Sequence, residues 1–231
     1  MAQLDWGLGE RLSARLLLLG RDITATGMVE FDSAGLGDIE AWARWGLGPE
    51  EGRGGGAVAG GLAFPTGREG DPSVTDENIV FGAGDYSLLL SVEGFRRLTS
   101  SQTLFGLARY RYPMGSGSNG YRFGDDFGWA ATWRWNPGAG PIGLLLGASG
   151  QHLGRDELNG ADVLSRGGRM NHLSAGVSFP AGKRTSIGLV GQHLIDQDMR
   201  GDQLLAQWNF VAAWTLAWGQ HLHEPPSTSF D

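Results

Sequence analysis

Between Leu204 and Trp218 the even positions read Leu204, Ala206, Trp208, Phe210, Ala212, Trp214, Leu216 and Trp218, whereas the odd positions include Gln207, Asn209, Ala213 and Thr215. The period is two, the spacing at which side chains of a strand share a face, and not the 3.6 of a helix. Asp126 to Trp135 repeats the pattern, with Phe127, Trp129, Ala131, Trp133 and Trp135 on one face and Asp126, Gly128, Ala130, Thr132 and Arg134 on the other. A soluble sheet needs a second layer to cover such an apolar face. Here every segment brings a wide apolar face of its own.

The same alternation, bounded by turn residues, predicts eleven strands at about 2–9, 12–21, 37–47, 55–65, 79–96, 102–112, 124–136, 141–152, 169–179, 185–194 and 203–218. Their connections alternate between short turns, at Glu10–Arg11, Gly48–Gly54, Arg97–Ser101, Pro137–Gly140 and Pro180–Arg184, and long loops at about 22–36, 66–78, 113–123, 153–168 and 195–202. Antiparallel strands with short turns at one end and long loops at the other predict a transmembrane up-and-down β-barrel. Lipid offers the backbone no hydrogen bonds, so only a helix or a closed sheet spans it. The barrel is expected over 1–218, followed by a periplasmic tail at 219–231.

With the larger apolar set outward, Trp133, Trp208, Phe210 and Trp214 face lipid, with Trp129 on the same side. Trp6, Trp45, Tyr110, Tyr112, Trp135 and Trp218 lie near strand ends and form the expected interfacial girdles. The opposite face lines the bore with Arg15, Arg44, Arg109, Arg111 and Arg134, with Asp38, Glu40, Asp85, Glu93 and Asp126, and with Gln207. Small inward residues, Ala57, Ala59, Gly61, Gly128 and Ala130, are expected to leave room in it. Eleven strands would set first and last parallel, whereas bacterial single-chain barrels have even counts. Twelve is therefore the expected complete number, with one strand missing or upstream of Met1.

Composition agrees with this picture. Of 231 residues 40 are Gly, a content that disfavours helices because each interior Gly costs roughly 0.8–1 kcal/mol. No Cys is present, so there is neither a disulfide framework nor a thiolate site. The formal net charge is −7 and Lys183 is the only lysine, which argues against a nucleic-acid partner. The longest aliphatic run of the N-terminal stretch, Leu16 to Leu19, is too short for a membrane helix of about 20 residues or a signal-peptide core of at least about 7.

Several segments together resemble a known family. They are Asp5-Trp6-Gly7-Leu8-Gly9-Glu10-Arg11-Leu12, Gly35-Leu36-Gly37-Asp38, Phe64-Pro65-Thr66-Gly67, Phe81-Gly82-Ala83-Gly84-Asp85, Leu104-Phe105-Gly106 through Arg109-Tyr110-Arg111-Tyr112, Tyr121-Arg122-Phe123-Gly124-Asp125 and His152-Leu153-Gly154-Arg155-Asp156. In this order they are similar to the outer-membrane barrels labelled meta-pathway phenol-degradation proteins, grouped with fatty-acid-transporter-like channels for hydrophobic compounds. The resemblance implies a barrel that passes small hydrophobic or aromatic molecules, with lipid, lipopolysaccharide and the barrel-assembly machinery as partners. It departs at the C-terminus, where 13 residues follow Trp218 although such barrels usually end on an aromatic residue.

Other chemistry is weaker. His172 and Ser174 share a strand face, as a lipid hydrolase would need, but no motif supplies an orienting acid. Gly-Gln-His-Leu begins at Gly150, Gly191 and Gly219, and would let His152 and His193 approach each other at the outer rim; His221 and His223 lie in the tail. A metal site needs three or four converging ligands. The acidic groups Asp71, Asp76 and Glu77, Asp156, Glu157 and Asp162, and Asp196, Asp198 and Asp202 lack EF-hand spacing and read as solvated loops. Gly52-Arg53-Gly54-Gly55-Gly56 lacks the Lys-Ser/Thr pair of a phosphate loop. No cofactor is called for. The expected function is a passive outer-membrane channel, with a non-transporting anchor or partner-binding scaffold as the alternative and a soluble avidin-like or lipocalin-like barrel as the remote one.

Overall fold

A computed structural model describes residues 2–25, 31–48, 53–67, 82–118, 120–139, 141–164, 166–182, 185–201 and 207–216. The chain forms β1 (Ala2–Gly7), β2 (Leu12–Ala25), β3 (Phe31–Gly46), β4 (Gly54–Phe64), β5 (Ser87–Thr99), β6 (Gln102–Pro113), β7 (Tyr121–Arg122), β8 (Asp126–Trp135), β9 (Gly143–Leu153), β10 (Glu157–Leu158), β11 (Ala161–Asp162), β12 (Gly168–Gly182), β13 (Thr185–Met199) and β14 (Trp208–Leu216). Eleven of these make one antiparallel sheet in the order β1-β2-β3-β4-β5-β6-β8-β9-β12-β13-β14, each strand paired with its successor. This is the up-and-down antiparallel all-β architecture that the alternation predicts. The twelfth strand expected from parity is not among the described residues.

The register divides the main sheet into two faces. Ser91 pairs with Arg109, Arg109 with Gly128 and Gly128 with Gln151, so these side chains share one face. Val92, Ala108, Trp129 and Gly150 share the other. Contacts show which face is concave. Arg109 on β6 reaches Glu40 on β3, and Arg111 on β6 reaches Asp38 on β3, in each case across two intervening strands. Strands lie about 4.8 Å apart, so three spacings in a flat sheet are roughly 14 Å. The sheet must curve toward these side chains for the ions to meet. The concave face is charged and the convex face apolar, the reverse of a soluble domain and the arrangement of a lipid-facing wall. Phe210 is 82% exposed and Trp214 69%.

Several boundaries differ from expectation. The strand expected at 79–96 runs from Ser87 to Thr99, because Gly82 to Asp85 bend, with Gly84 at φ 71°. Strands β2, β3 and β13 run into the expected loops, to Ala25, from Phe31 and to Met199, since the backbone ladder of a hairpin continues whether or not the side chains alternate. The final strand starts at Trp208, not 203. The loops expected at 113–123 and 153–168 contain β7, β10 and β11, which form a separate small sheet. Two-residue strands are too short for alternation to register. Asn159 and Gly160, both at positive φ, make the tight turn between β10 and β11, for which Asn-Gly is favoured. The expected tail 219–231, Phe81, Gly52, Trp218, His221, His223, the acidic group Asp71, Asp76 and Glu77, and Asp202 lie outside the described residues.

Candidate functional site

On the concave face the charges are arranged in levels along the strands. Nearest the short turns of β1–β2, Arg15 Nε meets Asp5 Oδ1 at 2.7 Å. Arg44 on β3 meets Glu93 on β5 at 2.5 Å. Toward the long loops, Arg109 meets Glu40 at 2.5 Å, and Trp42 Nε1 donates to the other oxygen of the same carboxylate at 3.1 Å. The Arg109 guanidinium also lies 5.3 Å from the Trp42 ring centroid, a cation–π distance. Trp42 thus faces inward, unlike the outward tryptophans on which a reading by residue type relies.

Asp38 is the junction of the long-loop end. It is 3% exposed and accepts from Arg111 at 3.1 Å, from the Gly67 backbone N–H at 3.1 Å and from the Ala83 N–H at 2.8 Å. Those two N–H groups belong to the chain leaving β4 and the chain entering β5. They come so close that a Cβ on Gly67 would lie 2.7 Å from the Gly82 Cα. Arg111 Nε also donates to Ser87 Oγ at 3.0 Å. Nearby, Asp85 accepts from the Gly115 N–H at 2.7 Å; burial pushes its carboxyl above the ordinary carboxylate range, against the lowering by that bond and by Arg111. Asp85 therefore sits in the bend before β5 and not on a strand. Asp126 takes Gln151 Nε2 at 2.8 Å.

Toward the short turns this network gives way to a cavity of about 430 Å³. Phe95, Phe105 and Leu107 form its apolar side, with Arg44, Glu93 and Thr132 and the backbones of Gly55, Gly56, Gly94 and Gly106 around them. Phe95 and Phe105 are register partners, and their ring centroids are 6.4 Å apart. A Cβ at Gly55 would lie 2.9 Å from the Phe95 ring, so a side chain there would displace that ring. Large apolar side chains turned inward had one sign in the sequence: both phenylalanines share the odd positions of Glu93 and Arg109.

Small inward residues divide into two groups. Ala130 lines the cavity, and a Cβ at Gly128 would meet the Gly150 carbonyl oxygen at an ordinary 3.9 Å. Gly61 leaves no room, contrary to expectation, because the Trp42 indole packs over it, and Ala57 is fully buried. Arg134 lies over Gly143 beside Ser178. Gln207 precedes β14 with its side chain exposed, and its carbonyl oxygen accepts from the Leu194 N–H.

His172 and Ser174 are on the concave face, paired across to Ser149 and Gly147, with no hydrogen bond between them. His152 and His193 do not approach each other: they oppose Arg169 and Leu173 of β12 from its two sides. That register sets them about 10 Å apart across the sheet and roughly 13 Å along it. Both lie on the convex face, where the His193 ring stacks on Trp208 at 4.4 Å. Among the described residues no three His, Asp or Glu side chains converge as a metal site.

The expected girdle residues fall at two heights on the convex face. Trp6, Trp45, Trp133, Trp135 and Trp214 lie toward the short turns, where Trp133 and Trp135 stack at 6.1 Å. Tyr110, Tyr112, Trp129 and Trp208 lie toward the long loops, where Tyr110 donates to Asp125 at 2.9 Å.

No family model matches the chain, and no curated protein matches it by sequence. Among solved structures it is similar to the crystal structure of the COG4313 outer membrane channel from Pseudomonas putida F1, with a TM-score of 0.73 at 14% identity over 93% of this chain and 81% of that one. At that identity the likeness concerns the fold.

Proposed function

We propose that the protein is an outer-membrane barrel that lets small, mainly hydrophobic or aromatic molecules diffuse passively through its interior. The observation that carries this reading is the cavity of about 430 Å³ on the concave face, with Phe95, Phe105 and Leu107 turned into it. A barrel that served only as a wall would bury such side chains against one another or send them to lipid. The fold shared with a solved outer membrane channel supports the same reading, as does the family resemblance of the sequence.

In this orientation the long loops face outside and the short turns face the periplasm. A solute enters past the ion-paired level of Asp38, Glu40, Arg109 and Arg111, is selected there by size and local field, and reaches the apolar cavity below. The outward aromatic residues at both heights sit at the two lipid interfaces. Lipopolysaccharide surrounds the long loops, and the barrel-assembly machinery inserts the chain. Residues 1–218 make the barrel and 219–231 a periplasmic tail.

A second reading has its own observation. Opposite charges bridge the concave face from β3 to β5 and from β3 to β6, and such bridging would close the interior of a purely structural barrel or anchor. Reconstitution into planar bilayers and liposomes separates the two. The channel reading expects ion conductance and entry of phenol into liposomes. A barrel silent to ions and impermeable to phenolic solutes overturns it in favour of the structural reading.

A further inference from the structure

One row of register partners crosses the concave face and changes character on the way. Phe95 pairs with Phe105, Phe105 with Thr132, Thr132 with Gly147, Gly147 with Ser174, Ser174 with Gln192 and Gln192 with Asn209. The two rings at its start belong to the cavity. From Thr132 onward, apart from the glycine, every side chain in the row is an uncharged hydroxyl or amide. Thr132 belongs to both parts, since it lines the cavity and stands beside Phe105.

The next hydroxyl of the row meets Thr132 over Gly147. A Cβ at Gly147 would lie 2.7 Å from Ser174 Oγ and 3.1 Å from Thr132 Oγ1, so the two oxygens flank the space above the glycine. Thr132 and Ser174 are half-buried, and neither hydroxyl has a hydrogen-bond partner among the described residues. Two hydroxyls that converge in this way, each able to donate and to accept, suit a neutral group that does the same. The charges nearby have other places: Arg44 and Glu93 of the cavity are joined to each other at 2.5 Å, and Arg134, two residues along β8, has its Nε over Gly143. From Phe105 to Gly147 is two strand spacings, about 10 Å, which one aromatic ring and a short substituent span.

We propose that Thr132 and Ser174 are specificity-determining residues of the interior, which hold the neutral hydroxyl of an aromatic solute whose ring rests against Phe105. The inference deepens the channel reading and rests on it: the favoured solutes are aromatic alcohols and not aromatic hydrocarbons. Two neutral hydrogen bonds hold a solute weakly enough to release it again, as passage requires.

The test titrates the full chain in detergent calorimetrically with benzyl alcohol and with ethylbenzene, which carries a methyl group where the alcohol has its hydroxyl. Comparing each probe between parent and variant cancels its own partition into the detergent. In the double variant Thr132→Val with Ser174→Ala, which removes both hydroxyls and adds no bulk, binding of benzyl alcohol is expected to weaken about tenfold, the factor given by one to two neutral hydrogen bonds. Binding of ethylbenzene should stay at the parent level, and Thr132→Ser, which keeps the hydroxyl, should bind both probes as the parent does. An equal change for the two probes, or no change for either, overturns the inference, as does a parent that binds no benzyl alcohol. If the double variant loses the parent's heat-modifiable migration, Thr132→Val and Ser174→Ala taken singly decide by the same comparison. A parent that conducts, with a double variant that still binds benzyl alcohol as tightly, sinks this inference alone. A parent whose binding of benzyl alcohol depends on the two hydroxyls but which passes neither ions nor phenol sinks the channel reading and leaves the site standing.

Discussion

Arg109 on β6 crosses β5 and β4 to place a guanidinium nitrogen 2.5 Å from Glu40 Oε1 on β3, and the indole of Trp42 packs beneath the cation while donating to the same carboxylate. Glu40 is 0% exposed and Arg109 is 36% exposed, so the pair joins a desolvated acid to a half-wet base. The contact ties together four consecutive strands that would otherwise be joined only by their ladders.

Removing one partner strands the other. Arg109→Ala is expected to cost about 3–5 kcal/mol, the range for leaving a buried charge, here the Glu40 carboxylate, without its partner. The double variant Glu40→Ala with Arg109→Ala should recover much of that loss, because no buried charge is left unmatched. Urea unfolding followed by the shift in gel mobility of heated and unheated samples measures both. In the channel reading the double variant should also conduct more, since the ion pair that spans the concave face from β3 to β6 is removed.

Asp38 supports the ends of two strands through one carboxylate. Asp38→Asn keeps the shape but offers one acceptor oxygen to three donors, from Arg111, Gly67 and Ala83. The variant should lose stability, in the range of about 1–3 kcal/mol for a buried group left without its bond. Proteolysis at the β4–β5 connection, compared between parent and variant, would register the change as faster cutting. Equal cutting rates would show that the Gly67–Gly82 approach holds the connection without the acid.

Asp85 gives a dependence on pH of unusual sign. Its carboxyl is raised above the ordinary range because burial disfavours the charged form more than the Gly115 N–H and Arg111 favour it. A group raised on folding binds its proton more tightly in the folded state. Its contribution is complete below the unfolded value of about 3.9 and is lost as pH rises through the raised folded value. Asp85→Asn should therefore flatten stability against pH over that window. Midpoints in urea across mildly acidic to neutral pH check it, and parallel curves for parent and variant would contradict it.

The sheet was legible because period-two alternation is written into every long strand, and because turn residues mark the short ends. Arg44, Glu93, Arg109 and Arg111 could be assigned to the concave face by parity alone. Their partners could not: which strand Arg109 reaches depends on sheet curvature and stagger, neither of which one strand's pattern contains. Trp42 and Phe95 escaped notice for a related reason. Residue type sends aromatic side chains to the outside, whereas their parity places them inside with Glu40 and Glu93, and parity prevailed. The bend at Gly82 to Asp85 was hidden by the apolar run Ile79-Val80-Phe81 before it, which looks like the start of a strand.

The cavity allows a test that leaves the ion pairs untouched. Ala130 faces inward opposite Leu107 and lines the cavity, while its neighbour Ala131 pairs with Gly106 on the convex face and is exposed there. Ala130→Phe places a ring into open space where no packed neighbour must move, so the strain that enlarging a filled core brings is avoided. Ala131→Phe adds the same ring to the convex apolar surface. If solutes pass through the cavity, entry of phenol into liposomes should fall several-fold in Ala130→Phe and stay at the parent rate in Ala131→Phe, with both variants showing parent-like heat-modifiable migration. Equal rates in all three proteins would place the path of the solute somewhere other than between Phe95, Phe105 and Ala130.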